Sequence, residues 1–162
     1  MGFIVLIYGS LFVSVFLHEI GHAIAVRMVN YKMVAFKVGP FCIVSHDGGW
    51  RFVLAKEIFL GLVVFSAEAH QRTLKNEAIV TSGGIVANIV GGAALVVMYF
   101  VLRDVHENGL IMIIGAASIF TGVLNMFPVN IKNSGLESDG VVLRKLYKTW
   151  RSKPNNQRKS TQ

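Results

Sequence analysis

Five residues near the N-terminus, His18 to His22, form the pattern His-Glu-x-x-His. If this segment is helical, residues four apart share one face, so His18 and His22 can direct both imidazoles at one zinc ion. Glu19 then lies about 100° round the helix, where its carboxylate can reach a zinc-bound water rather than the metal. Zinc lowers the pKa of such a water towards about 7, and Glu19 can take the proton as general base. The pattern therefore predicts activation of water for hydrolysis of a peptide bond.

A catalytic zinc needs a third protein ligand, which the pattern does not contain. Three protein ligands and one open position are typical of such sites. The chain offers seven candidates, which are His46, Asp47, Glu57, Glu68, His70, Glu137 and Asp139. Spacing favours Asp139 only modestly over Glu68 or His70. The reason is that Asp139 follows the last apolar stretch, on the side from which a partner must reach inward to His18.

The elements that position these residues are predicted to be membrane helices. Aliphatic, aromatic, methionine and cysteine residues together make up 53% of the chain and charged residues 15%, against about 25% charged in soluble domains. Three apolar stretches, at about residues 2–29, 78–102 and 110–127, are long enough to cross a bilayer. We therefore expect a mainly α membrane protein with three core transmembrane helices. No basic segment precedes the first stretch, so we expect it to be retained rather than cleaved.

The region of residues 31–76 has a different pattern. Residues 35–44 and 50–54 are rich in Val, Ile and aromatic side chains, and residues 45–49 form a turn signal. This predicts a small β-hairpin, or membrane-associated segment, after the first helix. A further apolar run within residues 57–65 is too short to span and could be a strand, a re-entrant piece or an interfacial segment.

The net charge of +7 is distributed along the chain in a way that predicts a topology. Of the 16 Lys and Arg residues, 15 fall on one side of the three stretches, and only Arg103 lies in the link between the second and third. The positive-inside rule then places the N-terminus outside and the C-terminus in the cytoplasm of a multi-pass cell-membrane protein. We expect the basic residues to meet the lipid bilayer rather than nucleic acid, and residues 148–162 to form a disordered cytoplasmic tail.

Three motifs in this order resemble the site-2 protease family of intramembrane zinc metalloproteases, as a small bacterial-type member. The first runs from His18 to Arg27. The second is the glycine-rich stretch from Gly83 to Asn88, and the third combines Asn125–Pro128 with Asp139–Gly140. The resemblance covers about residues 5–147, and it implies that residues 1–147 form the metalloprotease core.

The resemblance also implies a role for each matching position. His18, His22 and Asp139 would bind Zn²⁺, and Glu19 would be the general base. Asn125 and Asn88 would position substrate or stabilise the oxyanion, since an amide donor suits that developing charge.

The function expected from these features is that of an intramembrane zinc endopeptidase. Its substrates would be transmembrane or signal-peptide-like segments of membrane-bound proteins. One alternative is a catalytically inactive membrane adaptor that binds peptides, and a weaker one is a metal-transporting helix bundle. Three spans form a thin bundle, so pairing with a second copy or with another membrane protein is also expected to be possible.

Overall fold

The chain folds into helices with one small sheet. The computed structural model describes residues 2–56, 61–102, 109–128 and 137–152. Within these ranges the elements, in chain order, are α1 (Gly2–Met28), β1 (Lys32–Val38), β2 (Phe41–His46), β3 (Gly49–Leu54), β4 (Gly61–Ser66), α2 (Leu74–Leu102), α3 (Leu110–Met126) and α4 (Asp139–Ser152). The predicted mainly helical chain with a small antiparallel segment after the first helix is confirmed.

Two of the helices have the length and composition needed to cross a membrane. These are α1 from Ile4 to Met28 and α2 from Leu74 to Leu102. The third apolar helix, α3, has 17 residues, whereas a membrane span usually needs about 20 residues. The fold therefore supports two candidate spans, and the third core transmembrane helix stays a prediction.

Glycines allow the three apolar helices to pack with their backbones close together. A methyl group at Gly21 of α1 would overlap the carbonyl oxygen of Gly83 on α2. A methyl group at Gly115 of α3 would lie 2.8 Å from the carbonyl oxygen of Gly92. Small residues at such crossings are the usual way in which membrane helices approach each other. Helix α2 consequently lies against both α1 and α3.

The predicted hairpin is part of a larger sheet. Four antiparallel strands lie in the order β3-β2-β1-β4. Residues 35–44, predicted as one β-rich part of the hairpin, are divided between β1 and β2, because the chain turns at Gly39 and Pro40, where Gly39 has a φ of 57°. The turn expected within residues 45–49 lies at Asp47 and Gly48, with φ values of 47° and 80°. Positive φ at both positions is what a tight hairpin turn of this kind requires.

Part of the apolar run that follows β3 forms the strand β4. Its residues 61–66 pair with β1, from Gly61 opposite Val38 to Ser66 opposite Lys32. Residues 57–60 of that run lie outside the described residues. Since β4 is an edge strand, one side of its backbone has no strand partner in the part of the chain that the structure describes.

The sheet lies along α1 rather than beyond its end. Phe41 packs edge-to-face on Phe12, and Phe36 packs in the same way on Phe16. Phe12 precedes the last residue of α1, Met28, by 16 positions, which is about 24 Å along a helix axis. The turn between β1 and β2 therefore lies far along α1 from its C-terminal end.

Helix α4 is an element that the sequence analysis did not predict. It is amphipathic, with four apolar side chains spaced at three and four residues, Leu143, Leu146, Tyr147 and Trp150, along a groove that also borders the start of α2. Residues 148–152 of the predicted disordered tail are helical, and residues 153–162 lie outside the described ranges.

Candidate metal centre

Helix α1 places His18 and His22 on the same face, one turn apart. Their Nε2 atoms are 3.1 Å from each other, and both side chains are buried. The Nδ1 atom of His22 lies 2.7 Å from the carbonyl oxygen of Val80 on α2. Because a carbonyl oxygen only accepts, Nδ1 carries the proton, and in the neutral imidazole the lone pair of Nε2 points towards His18.

Asp139, the first residue of α4, brings a carboxylate oxygen to the same point. Its Oδ2 lies 3.0 Å from Nε2 of His18 and 3.3 Å from Nε2 of His22. Burial alone would raise the pKa of the Asp139 carboxyl, but hydrogen bonds and charge interactions with His18 and His22 hold that pKa below its ordinary value. The carboxylate is therefore present in its ionised, metal-binding form at neutral pH.

The spacing of the three donor atoms fits one zinc ion. Zinc binds imidazole nitrogen and carboxylate oxygen at about 2.0–2.2 Å, so neighbouring ligands of a tetrahedral site are separated by about 3.3 Å. The three separations found here are 3.0, 3.1 and 3.3 Å. Two imidazoles and a carboxylate also match the ligand set of catalytic zinc sites that keep a fourth position open. His18, His22 and Asp139 are thus the residues that would hold the metal.

The other candidates for the third ligand lie elsewhere. His46 pairs with Asp47 at 3.2 Å, and His70 pairs with Glu68 at 3.2 Å, and all four side chains are substantially exposed. Glu137 forms an ion pair with Lys145, and Glu57 is outside the described residues. Within the described ranges, Asp139 is the carboxylate that joins the two histidines.

Glu19 lies beside the metal centre and is held there by the start of β4. Glu19 is only 6% exposed, although its side chain is ionisable. A methyl group at Gly61 would overlap the Glu19 carboxylate, so the absence of a side chain at Gly61 makes room for it. The edge strand and the carboxylate are therefore in direct contact.

A cavity of about 440 Å³ joins these groups. Its lining includes the metal-centre residues, Glu19, Asn125 and Thr121 from α3, and residues 61–63 of β4. Asn125, which the sequence analysis assigned to substrate positioning, therefore lies on the cavity wall, and its role stays a prediction. Asn88 is not among the lining residues; it is fully buried, with Nδ2 3.3 Å from Nδ1 of His18.

Three residues of this region were not identified from the sequence as part of the site. Val80 orients His22 through its carbonyl oxygen, and Gly61 makes room for Glu19. A methyl group at Gly84 would lie 2.5 Å from Nε2 of His22 and 2.6 Å from Nε2 of His18, so this glycine makes room for the imidazoles. The glycine pair within an apolar helix was the available signal for Gly84, whereas Val80 and Gly61 carry no signal of their own.

Comparison with known proteins identifies the family to which the chain is similar. The family model described as Peptidase family M50 matches residues 6–109, which include most of α1, the sheet and α2. Asn125 and Asp139 lie beyond the matched segment. Searches of the curated proteins and of the solved structures gave no match. Because the family match covers more than half of the 162 residues, the chain belongs to peptidase family M50, the membrane-embedded site-2 protease family of metallopeptidases.

Proposed function

We propose that this protein is an intramembrane zinc endopeptidase that cleaves transmembrane or signal-peptide-like segments of membrane-bound proteins. The observation that carries the proposal is the convergence of His18, His22 and Asp139, with Glu19 beside them in one cavity. Burial of a carboxylate on an apolar helix costs free energy, so the presence of Glu19 there indicates a function. Family membership adds the expectation of metallopeptidase chemistry.

The chain's own residues can perform the proton transfers of hydrolysis. Bound zinc would supply a coordinated water whose pKa is lowered towards about 7. Glu19 would remove a proton from this water as its oxygen bonds to the substrate carbonyl carbon. The same carboxyl would then give the proton to the amide nitrogen as the carbon–nitrogen bond breaks. Asn125, on the cavity wall, would donate its amide N–H to the developing oxyanion or to the substrate backbone.

The edge strand β4 supports an extended mode of substrate binding. Gly61, Leu62 and Val63 line the cavity, and β4 has an unpaired edge among the described strands. An extended peptide added to such an edge gains main-chain hydrogen bonds. A helical substrate would unwind to bind in this way, which would free the scissile carbonyl for attack.

The proposed topology follows from charge and helix length. The N-terminus would be outside and the C-terminus cytoplasmic, with 15 of 16 basic residues on the cytoplasmic side. Helix α3 would form the third span of the core despite its 17 residues, since its ends could extend through neighbouring residues or local thinning of the bilayer.

The decisive experiment compares Glu19→Gln with wild type in membranes that contain a transmembrane peptide substrate. Loss of a general base typically slows such reactions by about 10²–10⁴-fold. We expect that loss, together with about one zinc per chain in both purified proteins. Glu68→Gln is the matched control, because this exposed carboxylate pairs with His70 away from the cavity. Unchanged cleavage by Glu19→Gln would overturn the proposal.

Metal analysis separates the alternatives. A membrane adaptor would bind peptides without stoichiometric zinc, so near-zero zinc with full peptide binding would favour it. A metal-transporting bundle would move zinc across the membrane of proteoliposomes without cleaving peptides.

A further inference from the structure

The sequence analysis assigned Asn88 and Asn125 to the same role, but the two side chains lie in different places. Asn125 lines the cavity. Asn88 is 0% exposed and lies behind His18, on the far side of the imidazole from the metal centre. A substrate in the cavity would meet His18 before it could reach Asn88. Asn88 therefore needs a different explanation.

The hydrogen-bond pattern around the two imidazoles is unequal. His22 donates from Nδ1 to the carbonyl oxygen of Val80. His18 meets the Asn88 amide instead, with Nδ1 3.3 Å from Nδ2, while Oδ1 of Asn88 has no hydrogen-bond partner among the described residues. An NH₂ group opposite Nδ1 suits an imidazole that carries its proton on Nε2. That tautomer has no lone pair on the atom that faces Asp139 and His22.

Metal binding through Nε2 reverses this requirement. With Nε2 used for the metal, Nδ1 of His18 carries the proton and needs an acceptor. Rotation of the Asn88 amide by half a turn exchanges Nδ2 and Oδ1 and brings the carbonyl oxygen to that position. The helix backbones do not need to move. A buried carbonyl oxygen that lacked a partner then gains one.

We propose that Asn88 is a positioning residue for the metal centre, whose side-chain oxygen accepts a hydrogen bond from Nδ1–H of His18 and so fixes that imidazole for metal binding through Nε2. Asn88 would do for His18 what the Val80 carbonyl does for His22. The inference rests on the proposed zinc site and gives the middle motif of the chain a function in metal affinity. It leaves Asn125 as the asparagine that faces the substrate.

The test measures zinc affinity of the detergent-purified full chain by competition with a chromogenic chelator. Loss of a hydrogen-bond partner of a zinc-binding histidine typically weakens metal binding by about 10–100-fold. We expect that loss for Asn88→Leu, which has a similar shape and no acceptor. Asn88→Asp keeps an acceptor oxygen and should bind zinc close to the wild-type value. Ser118→Ala is the matched control, because Ser118 is equally buried on the facing helix α3.

A spectroscopic measurement distinguishes positioning from a general loss of packing. In the cobalt-substituted chain, each metal-bound imidazole should give one exchangeable N–H proton signal. Asn88→Leu should lose or shift the signal of His18 while the signal of His22, bonded to Val80, stays. If Asn88→Asp does not fold, the N–H signals of wild type and Asn88→Leu decide whether Asn88 positions His18.

The outcomes separate the two proposals. If wild type binds zinc, and Asn88→Leu binds it with the same affinity and keeps both N–H signals, the role of Asn88 is overturned. The proposed function would then still stand. Failure of wild type to bind zinc would overturn both.

Discussion

At the residue scale, two glycines make room for different side chains of the same site. Gly61 on β4 makes room for the Glu19 carboxylate, whereas Gly84 on α2 makes room for both imidazoles. In each case the neighbouring atoms are the ends of side chains rather than backbone. A substitution should therefore displace the functional group and spare the fold.

Gly61→Ala is expected to reduce peptide cleavage without weakening zinc binding. A displacement of about 1 Å in a reacting group can cost about 10²-fold in rate, and the added methyl group would move Glu19. Gly84→Ala should instead weaken zinc binding, because its methyl group meets His18 and His22. Cleavage rates and zinc dissociation constants measured on both variants check this. Gly9→Ala is the neutral control, since nothing lies within 4 Å of the added carbon. Equal loss of zinc affinity in all the variants would contradict the separate roles of Gly61 and Gly84.

The sequence predicted the chemical residues better than it predicted their surroundings. Helical spacing was enough to place His18 and His22 together, but it left Glu68 and His70 beside Asp139 as candidates for the third ligand. The choice among them needs the position of α4, which depends on packing between distant segments. The contact between Gly61 and Glu19 has no local signature for the same reason.

At the element scale, α4 connects the metal centre to the rest of the molecule through its first turn. Asp139 faces the two histidines, and Gly140 packs so closely on the carbonyl oxygen of Met126 that a methyl group there would overlap it. The rest of α4 is largely exposed and carries Arg144, Lys145 and Lys148. The stability of α4 should therefore depend on the occupancy of the site.

Removal of zinc is expected to expose α4 to trypsin. A ligand at 100 times its dissociation constant stabilises the bound form by about 2.7 kcal/mol, so cleavage through local opening should be up to about 100-fold slower with zinc. Mass spectrometry of fragments ending at Arg144 or Lys145 measures this. In Asp139→Asn the third ligand is changed, so the rate of trypsin cleavage should change much less when a chelator is added. Equal cleavage of wild type with and without chelator would contradict the prediction.

Some turns and helices could be predicted from local sequence signals, and others could not. The Asp47-Gly48 turn was evident because its residue types suit positive φ. The turn at Gly39 was missed since the β-forming residues on either side read as one strand. The apolar residues of α4 follow a helical spacing from Leu143 to Trp150, but the Pro-, Asn-, Gln- and Lys-rich composition from Ser152 onward favours a disordered tail.

For the whole molecule, the orientation of the sheet along α1 has a consequence for its surroundings. Cys42 follows Phe41, which packs on Phe12 far from the C-terminal end of α1. His46 lies at the opposite end of the same strand and is exposed. If α1 spans the bilayer, the two ends of β2 lie at different depths.

A membrane-impermeant maleimide should therefore discriminate between these positions. We expect the native Cys42 to remain unlabelled in inverted membrane vesicles and to react fully after denaturation in detergent. In a Cys42→Ser background, His46→Cys should be labelled in the same vesicles, because that end of the strand would face the cytoplasm. Equal labelling of the two thiols in intact vesicles would contradict the placement of the sheet.

The distance in sequence between the first and last residues of the metal centre bears on biosynthesis. His18 and His22 belong to α1, which leaves the ribosome well before Asp139, the first residue of α4. A nascent chain that has already inserted α1 and folded the sheet still lacks the third donor. The site can thus be completed only after the segment that carries Asp139 has been made, so the growing polypeptide does not carry an assembled metal centre past its own unfolded segments before then.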